Sequence, residues 1–594
     1  MRIWTGRAGS GKTTAILREI AALSEKGEGR QILLVPELNS HLMERRLAAA
    51  THNHGARTAE VLTFSRLADR VFSEVGGLAQ QMLTPAGQLL TLQEAARRVQ
   101  GGLSAWKGLA DKPELLQEAL RLIDECKTCA VAPETLFAAA EESEDAVLAE
   151  KLSDLAQILT AYERLCEESL PDPRDRLTHL RDRLAESHTL DGAAVYLDGF
   201  LGFTVQESAV IDAMLAAGVP LSAAVTCDTD YPEIFLTGCK TVQKLTRMAK
   251  HHNQTVERIE LGESKVARLA GLAALERESL LPVRIPQESA DGVRLYEAAS
   301  PFDECEHAAA YIRRKVRDEG ARCRDFVVAA RDIEPYSAFL AMAMARYDIP
   351  VFLAEKPDLL SRPPMALVTN ALEAVRNYFR YEDLFSCLKT GLAGLDWDEI
   401  DKLENYVLTW NIRGGAWERE WTEHPDGYGL SIDENAKAQL AELNTLRKRA
   451  IAPFSALREA LAGEQPAGDC VRALYAFLLA VDAPQRMTDR AAGHEQAGRL
   501  QLADEYRQLW EILVSAMEQF AWVCGDMPLT LDRFAQLFRL VLGEYDVGTI
   551  PVSLDRVTCG NIERACTENA KYVILLGVND GLIPKNPVLD FAAE

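Results

Sequence analysis

The chain lacks any apolar run long enough to cross a membrane, and no secretory signal precedes its first motif. A membrane-spanning helix needs about 20 consecutive apolar residues, and a secretory signal needs an apolar segment behind basic residues. Met1 is followed at once by a short apolar stretch and a glycine-rich loop. The sequence therefore predicts a cytoplasmic protein with no membrane partner.

Positive charge is also in deficit. The chain has 65 Lys and Arg against 89 Asp and Glu, which gives a formal net charge of −24 at pH 7. Clustered Lys and Arg bind nucleic-acid phosphates, so this composition excludes a protein that is basic over its whole surface. It leaves open a local basic groove within an acidic molecule.

Cysteine and histidine are sparse and scattered. Among 12 Cys only Cys126 and Cys129 form a Cys-x-x-Cys pair, and the ten His have no metal-ligand spacing. A zinc site needs a second pair or nearby histidines, so we interpret the two cysteines as ordinary thiols of a helix. No Ser/His/Asp or Cys/His catalytic grouping is present, and the sequence identifies no catalytic residue.

What is present is an alternation of short apolar runs with helical patterns. At 594 residues the chain exceeds a single core. The alternation predicts an α/β fold of two parallel-sheet lobes, each interrupted by a helical insertion, and the second lobe is predicted to open with a strand at residues 293–298. The predicted segments are 1–80 and 190–285 (first lobe), 81–189 (its insertion), 286–365 and 546–594 (second lobe) and 366–545 (its insertion).

One motif carries a specific chemistry. It follows a predicted strand and opens a predicted helix, as a phosphate-binding loop must. Its residues are Gly6, Arg7, Ala8, Gly9, Ser10, Gly11, Lys12 and Thr13, which fit GxxxxGK[ST]. The glycines let backbone N–H groups converge on phosphate oxygens, and the helix dipole adds to that field. Lys12 would reach the β- and γ-phosphates and Thr13 would ligate Mg²⁺. The motif predicts binding of ATP or a similar nucleotide.

Hydrolysis needs further groups. Asp198, after the strand predicted at 193–197, is the candidate second Mg²⁺ ligand, with a plain turn aspartate as the alternative. Gly199 stands where a motor ATPase has its catalytic glutamate, and Glu207 is predicted to open the next helix. Arg331 follows the strand predicted at 326–330. It either contacts a γ-phosphate across a cleft between the lobes or is a surface arginine.

A candidate DNA-binding segment ends the strand predicted at residues 61–64. Thr63, Phe64, Ser65 and Arg66 offer a ring, hydroxyls and a cation, the mixture that holds single strands. The alternative is that Phe64 is a core residue and Arg66 caps a helix.

Together these motifs resemble the N-terminal half of the AddB family, whose members pair with AddA in the bacterial AddAB helicase–nucleases that process double-strand DNA breaks. The resemblance rests on the phosphate loop and on residues 33–37, 63–68, 197–207, 325–332, 347–352, 403–417 and 576–584. It implies a superfamily 1 helicase architecture with RecA-like lobes 1A and 2A and insertions 1B and 2B. It also implies an AddA-like partner in a heterodimer and single-stranded DNA from broken ends. The family's iron–sulphur cluster and nuclease residues are expected beyond residue 594.

The sequence therefore favours an ATP-binding, DNA-recognising subunit for break repair and recombination. The resemblance implies scanning for Chi-type sequences rather than the main motor activity. An autonomous superfamily 1 helicase is the first alternative, and Gly199 speaks against it. A P-loop small-molecule kinase is the second, although such a kinase needs no second lobe.

Overall fold

The computed structural model describes residues 1–27, 29–51, 58–262, 266, 268–278, 290–353, 359–545, 555–562 and 570–583. The chain divides into two compact units, Met1–Arg294 and Leu295–Glu594. Each contains a parallel sheet with many helices, which confirms the predicted α/β class. Within the described residues, every helix is too short or too polar to cross a membrane.

The first unit is built on a six-stranded sheet in the order β3-β2-β4-β5-β1-β6. The strands are β1 Arg2–Gly6, β2 Arg30–Leu34, β3 Ala59–Leu62, β4 Ala193–Leu197, β5 Leu221–Thr226 and β6 Glu257–Glu260. All five pairings are parallel, so the carboxyl ends of the strands share one edge. The strand predicted at 61–64 ends earlier, because Phe64 opens the next helix.

Both faces of this sheet are covered. Ile3 and Val195 lie in a core on one face, and Trp4 and Tyr196, their chain neighbours, lie in a core on the other. Such two-sided burial is typical of parallel sheets. Burying a large apolar side chain contributes about 1.5–3 kcal/mol, so the sheet is a firm base for the loops at its carboxyl edge.

Eleven helices are described in the first unit. They are α1 Lys12–Lys26, α2 Ser40–Ala50, α3 Phe64–Val75, α4 Pro85–Val99, α5 Pro113–Thr128, α6 Pro133–Glu142, α7 Ala146–Glu168, α8 Arg176–Arg183, α9 Val205–Ala216, α10 Leu236–His251 and α11 Ala270–Glu278. Helices α4 to α8 lie between β3 and β4, in the segment predicted as an insertion. Cys126 lies in α5 and Cys129 directly follows it, as the helical interpretation required.

The second unit has a four-stranded sheet in the order β12-β7-β11-β8. Its strands, all paired in parallel, are β7 Phe326–Ala330, β8 Val351–Leu353, β11 Val557–Asn561 and β12 Tyr572–Leu576. Its helices are α12 Pro301–Glu319, α13 Glu334–Arg346, α14 Pro363–Arg376, α15 Tyr381–Leu388, α16 Trp397–Trp410, α17 Glu434–Ala460, α18 Ala467–Ala480, α19 Ala483–Gln496, α20 Leu500–Cys524 and α21 Leu531–Gly543. A short antiparallel pair, β9 Glu464–Pro466 and β10 Pro528–Thr530, lies among them.

The prediction of a strand at residues 293–298 is wrong. The segment has no regular structure, and Leu295 is 95% exposed. Its alternating apolar residues pack into no core, and within the described residues no strand pairs with it. The last two strands, β11 and β12, lie in the segment 546–594 that was predicted to complete the second lobe. Residues 546–554 of that segment lie outside the described residues.

Candidate nucleotide site

The phosphate loop connects β1 to α1 at the carboxyl edge of the first sheet. Gly6 ends β1, and a Cβ placed there would lie 2.6 Å from Ser10 Oγ and 3.1 Å from Gly262 O, so a side chain would force both neighbours to shift. Gly11 is the N-cap of α1, with φ at +96° and no side-chain cap. The geometry leaves the positive end of α1 facing the loop, as phosphate binding requires.

Backbone carbonyl oxygens of this loop hold the Lys12 side chain over it. Its Nζ donates to Gly6 O at 2.9 Å and to Arg7 O at 2.8 Å, and the residue is only 9% exposed. An ammonium in this place faces the loop interior rather than bulk water. Thr13, the predicted Mg²⁺ ligand, is half-buried in the first turn of α1.

Asp198 lies at the same sheet edge, directly after β4. It is 3% exposed, and its backbone N–H donates to Leu34 O at 3.1 Å. Strand β5 lies between β1 and β4, so two strand spacings, about 10 Å, separate Asp198 from the phosphate loop. Mg²⁺ usually keeps several waters and takes one or two protein ligands with phosphate oxygens, and Thr13 and Asp198 fit that donor set.

Gly199, which stands where a motor ATPase has its catalytic glutamate, has a left-handed backbone that disfavours a side chain. Its φ is +83°, and a Cβ there would lie 3.2 Å from Asn39 Nδ2 and 3.4 Å from Pro36 Cδ. Glu207 is the third residue of α9 and forms a capping box with Thr204. The prediction that Glu207 opens this helix is confirmed, and its carboxylate is engaged in the cap.

Sequence reasoning missed Asp228, which follows β5. Its Oδ2 accepts a hydrogen bond from Arg7 Nε at 2.6 Å, and the Arg7 guanidinium lies 5.1 Å from the centre of the Tyr231 ring. Burial acts to raise the pKa of Asp228, but hydrogen bonds from Arg7 and from the Asp230 N–H outweigh it and lower that pKa. The sequence does show an aspartate shortly after a strand, but Arg7, the partner that connects Asp228 to the loop, lies 221 residues away.

The candidate DNA segment is divided between surface and core. Thr63 caps α3 by accepting from the Arg66 N–H, and Phe64 is 6% exposed and packs edge-on against Phe200. Ser65 and Arg66 are exposed, and Arg66 pairs with Glu44 at 2.6 Å. The ring is therefore a core residue in this conformation, the hydroxyl of Thr63 is the cap, and only Ser65 and Arg66 present side chains to solvent.

Arg331 lies in the second unit, directly after β7, and is exposed. In the first unit, a groove of about 560 Å³ adjoins the loop at Thr13 and runs between α1 and α2, past Arg18 and Arg46 to Ala50. It follows the helices away from the strand ends, so it is separate from the edge that carries Asp198.

Comparison with known proteins gives a consistent result. Residues 3–276 match the family described as ADDB, N-terminal. Its curated relatives are named as B subunits of ATP-dependent helicase/deoxyribonucleases. The chain is 33% identical to the relative from Acetivibrio thermocellus, over 98% of this chain and 52% of that protein. It is 32% identical to the relative from Desulforamulus reducens, over 99% and 53%. The chain spans about half the length of the curated relatives it matches.

Proposed function

We propose, from the premise that this chain belongs to the AddB family, that it is the ATP-binding, DNA-recognising, helicase-like part of a helicase–nuclease subunit. In this proposal it serves double-strand break repair and recombination in a complex with an AddA-like partner. It scans the DNA for recognised sequences, and the partner is the main motor. The proposal rests on a contrast within one site. The phosphate loop has every residue of its motif, whereas the backbone at Gly199 disfavours a glutamate that could orient a water.

Nucleotide binding would redirect one side chain of the loop. The Lys12 ammonium would leave the carbonyl oxygens of Gly6 and Arg7 and bind the β- and γ-phosphate oxygens. Thr13 and Asp198 would hold Mg²⁺, which when bound neutralises phosphate charge. Arg331, directly after β7, stays a sequence prediction as a contact of the γ-phosphate.

Slow hydrolysis follows from the same edge. Asp198 can help to hold the ion, but the residue after it is a glycine and Glu207 is engaged at α9, so neither position offers a carboxylate to orient a water. The two parallel sheets, each with a helical insertion, support the superfamily 1 arrangement of lobes 1A and 2A with insertions 1B and 2B. We propose that nucleotide here sets the state of the protein, while the partner supplies translocation.

Single-stranded DNA would follow the carboxyl edge of the first sheet. Ser65 and Arg66 supply a hydroxyl and a cation there, and the exposed pair of Arg66 with Glu44 is weak enough to exchange for a phosphate. With a net charge of −24 the isolated chain should bind DNA weakly, and more tightly once a partner delivers the strand.

The test is reconstitution with the AddA-like subunit of the same cell. We expect the isolated chain to bind ATP without unwinding DNA, and the complex to unwind and degrade broken duplexes. Lys12→Ala in this chain should spare unwinding by the complex and change its response to recognised sequences. DNA-stimulated turnover and unwinding by the isolated chain would establish the autonomous motor instead, and transfer of phosphate to a small molecule would establish the kinase.

A further inference from the structure

Two cysteines lie against each other beside the phosphate loop. Cys227 directly follows β5, Cys239 lies in the first turn of α10, and their sulfur atoms are 3.1 Å apart. Two thiolates that share a tetrahedral zinc ion, each about 2.3 Å from it, would lie about 3.8 Å apart. The pair is therefore closer than a shared metal ion allows, and about 1 Å from the length of a disulfide bond.

The packing of α10 on β5 fixes this approach. A Cβ placed at Gly238 would overlap Thr226 O and lie 3.4 Å from the Cα of Cys227, so the glycine lets the helix backbone contact the end of the strand. Cys227 is 2% exposed, whereas Cys239 is half-buried. An oxidant in solvent therefore reaches Cys239 first, with Cys227 directly behind it.

The same segment contacts the phosphate loop. The Cys227 N–H donates to Gly6 O at 3.3 Å, and Gly6 O also accepts from the Lys12 Nζ at 2.9 Å. Asp228, the next residue along the chain, pairs with Arg7. A movement of the backbone at Cys227 is thus transmitted to the loop and, through the shared acceptor, to Lys12.

We propose that Cys227 and Cys239 form a reversible disulfide when a peroxide oxidises Cys239, and that this bond weakens nucleotide binding at the phosphate loop. The second half of the proposal rests on the nucleotide-binding function proposed above. In a reducing compartment such a pair stays as two thiols and closes only under an oxidant.

The chemistry balances with the peroxide as the oxidant. The Cys239 thiolate attacks one peroxide oxygen and the O–O bond breaks. The sulfur becomes a sulfenic acid, and the hydroxide that leaves takes up the thiol proton to form water. The Cys227 sulfur then attacks the sulfenic sulfur, the S–O bond breaks, and a second water leaves with the Cys227 proton. Two thiols lose two electrons, and one hydrogen peroxide becomes two waters.

The surroundings of the two sulfurs set this order and the effect on the loop. Burial, together with the neighbouring Cys239 thiol, raises the pKa of Cys227 to about 12, so Cys227 stays protonated while Cys239 is oxidised. Bond formation then brings the sulfurs from 3.1 Å to about 2 Å. We expect the long hydrogen bond from the Cys227 N–H to Gly6 O to break in this movement, because it is the weaker of the two at that oxygen. Gly6 O would then hold the Lys12 ammonium more tightly, away from phosphate.

The experiment treats the full 594-residue chain with hydrogen peroxide, alkylates the remaining thiols and maps linked peptides after cleavage before Asp228. We expect a link between Cys227 and Cys239 that dithiothreitol reverses. The linked protein should bind ATP about two- to tenfold more weakly, the value of one hydrogen bond. Cys239→Ser should form no link and keep its ATP affinity under peroxide. Cys129→Ser is the matched control, because it removes another accessible thiol, and it should behave like the wild type.

A second variant tests the order of the steps and serves if Cys239→Ser does not fold. Cys227→Ser should form no link, and its Cys239 should stop at a sulfenic acid that dimedone labels. A wild-type chain that forms no link under peroxide, or a link that leaves ATP affinity unchanged, would overturn the proposal. A reduced wild-type chain that binds no ATP refutes the nucleotide-binding function itself, and the peptide map still decides whether the disulfide forms.

Discussion

The two sheets share an architecture, but the strand-to-helix junctions at their carboxyl edges differ in charge. In the first unit β1 leads through glycines to Lys12, and α1 has no acidic residue in its first turn and no side-chain cap. In the second unit β7 leads through Arg331 and Asp332 to α13, whose first turn begins with Glu334. An acidic first turn neutralises the positive end of a helix.

Side chains of the second unit also occupy its strand ends. Asn561 accepts from the Ile333 N–H at 2.9 Å, and Glu304 accepts from the Gly577 N–H at 3.1 Å. These backbone donors are thus bonded to side chains of the unit, whereas at the first edge the Arg7 and Ser10 N–H groups donate to backbone oxygens and Lys12 faces the loop. Residues at the junction, rather than the sheet itself, make the two edges different.

The largest expected effect concerns turnover at the first edge. We expect the isolated chain to bind ATP and hydrolyse it about 10²–10⁴-fold more slowly than a site with a water-orienting carboxylate, with or without single-stranded DNA. Phosphate release measures this, with Asp198→Ala as the control. Brisk turnover that Asp198→Ala removes would contradict the assignment.

Lys12→Ala should weaken ATP binding at least about 100-fold, because it removes the charge that meets two phosphates. The matched control is Lys26→Ala, in the last turn of the same helix, which should bind normally. Titration with fluorescent ATP decides between them. Unchanged affinity in the Lys12 variant would show that the loop at the first edge is not the nucleotide site.

Arg331→Gln sharpens the comparison, since it asks whether the second edge contributes to a site in the first. Loss of one contact to the γ-phosphate should weaken ATP about tenfold and leave ADP unchanged. Arg346→Gln, at the end of α13 and paired with Glu306, is the control. If both variants bind ATP like the wild type, Arg331 is a surface residue.

The smallest effect is expected at Arg66. In the reconstituted complex Arg66→Ala should weaken single-stranded DNA binding a few-fold and lower the salt slope by about one. Arg70→Ala is the control, because Arg70 lies on the same helix and pairs with Glu60. Phe64→Ala is unsuited to this test, since removing a buried ring costs about 3–5 kcal/mol of stability. Unchanged affinity, slope and sequence recognition in the Arg66 variant would make this segment structural.

The strands buried on both faces were predictable from the sequence. Residues 193–197 and 326–330 agree to the residue, because continuous apolar runs bounded by polar turns have few other uses. The segment at 293–298 has alternating apolar residues, which also favour a strand, but no strand among the described residues pairs with it. Whether such a segment becomes a strand depends on a partner strand elsewhere in the fold, which its own residues do not reveal.

The candidate site divides in the same way. The phosphate loop is contiguous, so its residues identify it without a fold. Asp228 could not be identified from the sequence, because its contact is with Arg7, which lies far away in the chain. Phe64 was predicted to end a strand, with a DNA groove or the core as alternatives, and the contact with Phe200 that places it in the core is again long-range.

The left-handed backbone at Gly199 also bears on evolutionary history. Replacing this glycine by glutamate supplies a carboxylate but forces a side chain into a conformation that costs about 1–2 kcal/mol and against Asn39 and Pro36. A single replacement therefore lowers stability before it can raise activity. A lineage with this turn would have to rebuild the two neighbouring segments first, so the turn itself is a barrier to gaining a glutamate here by single replacements.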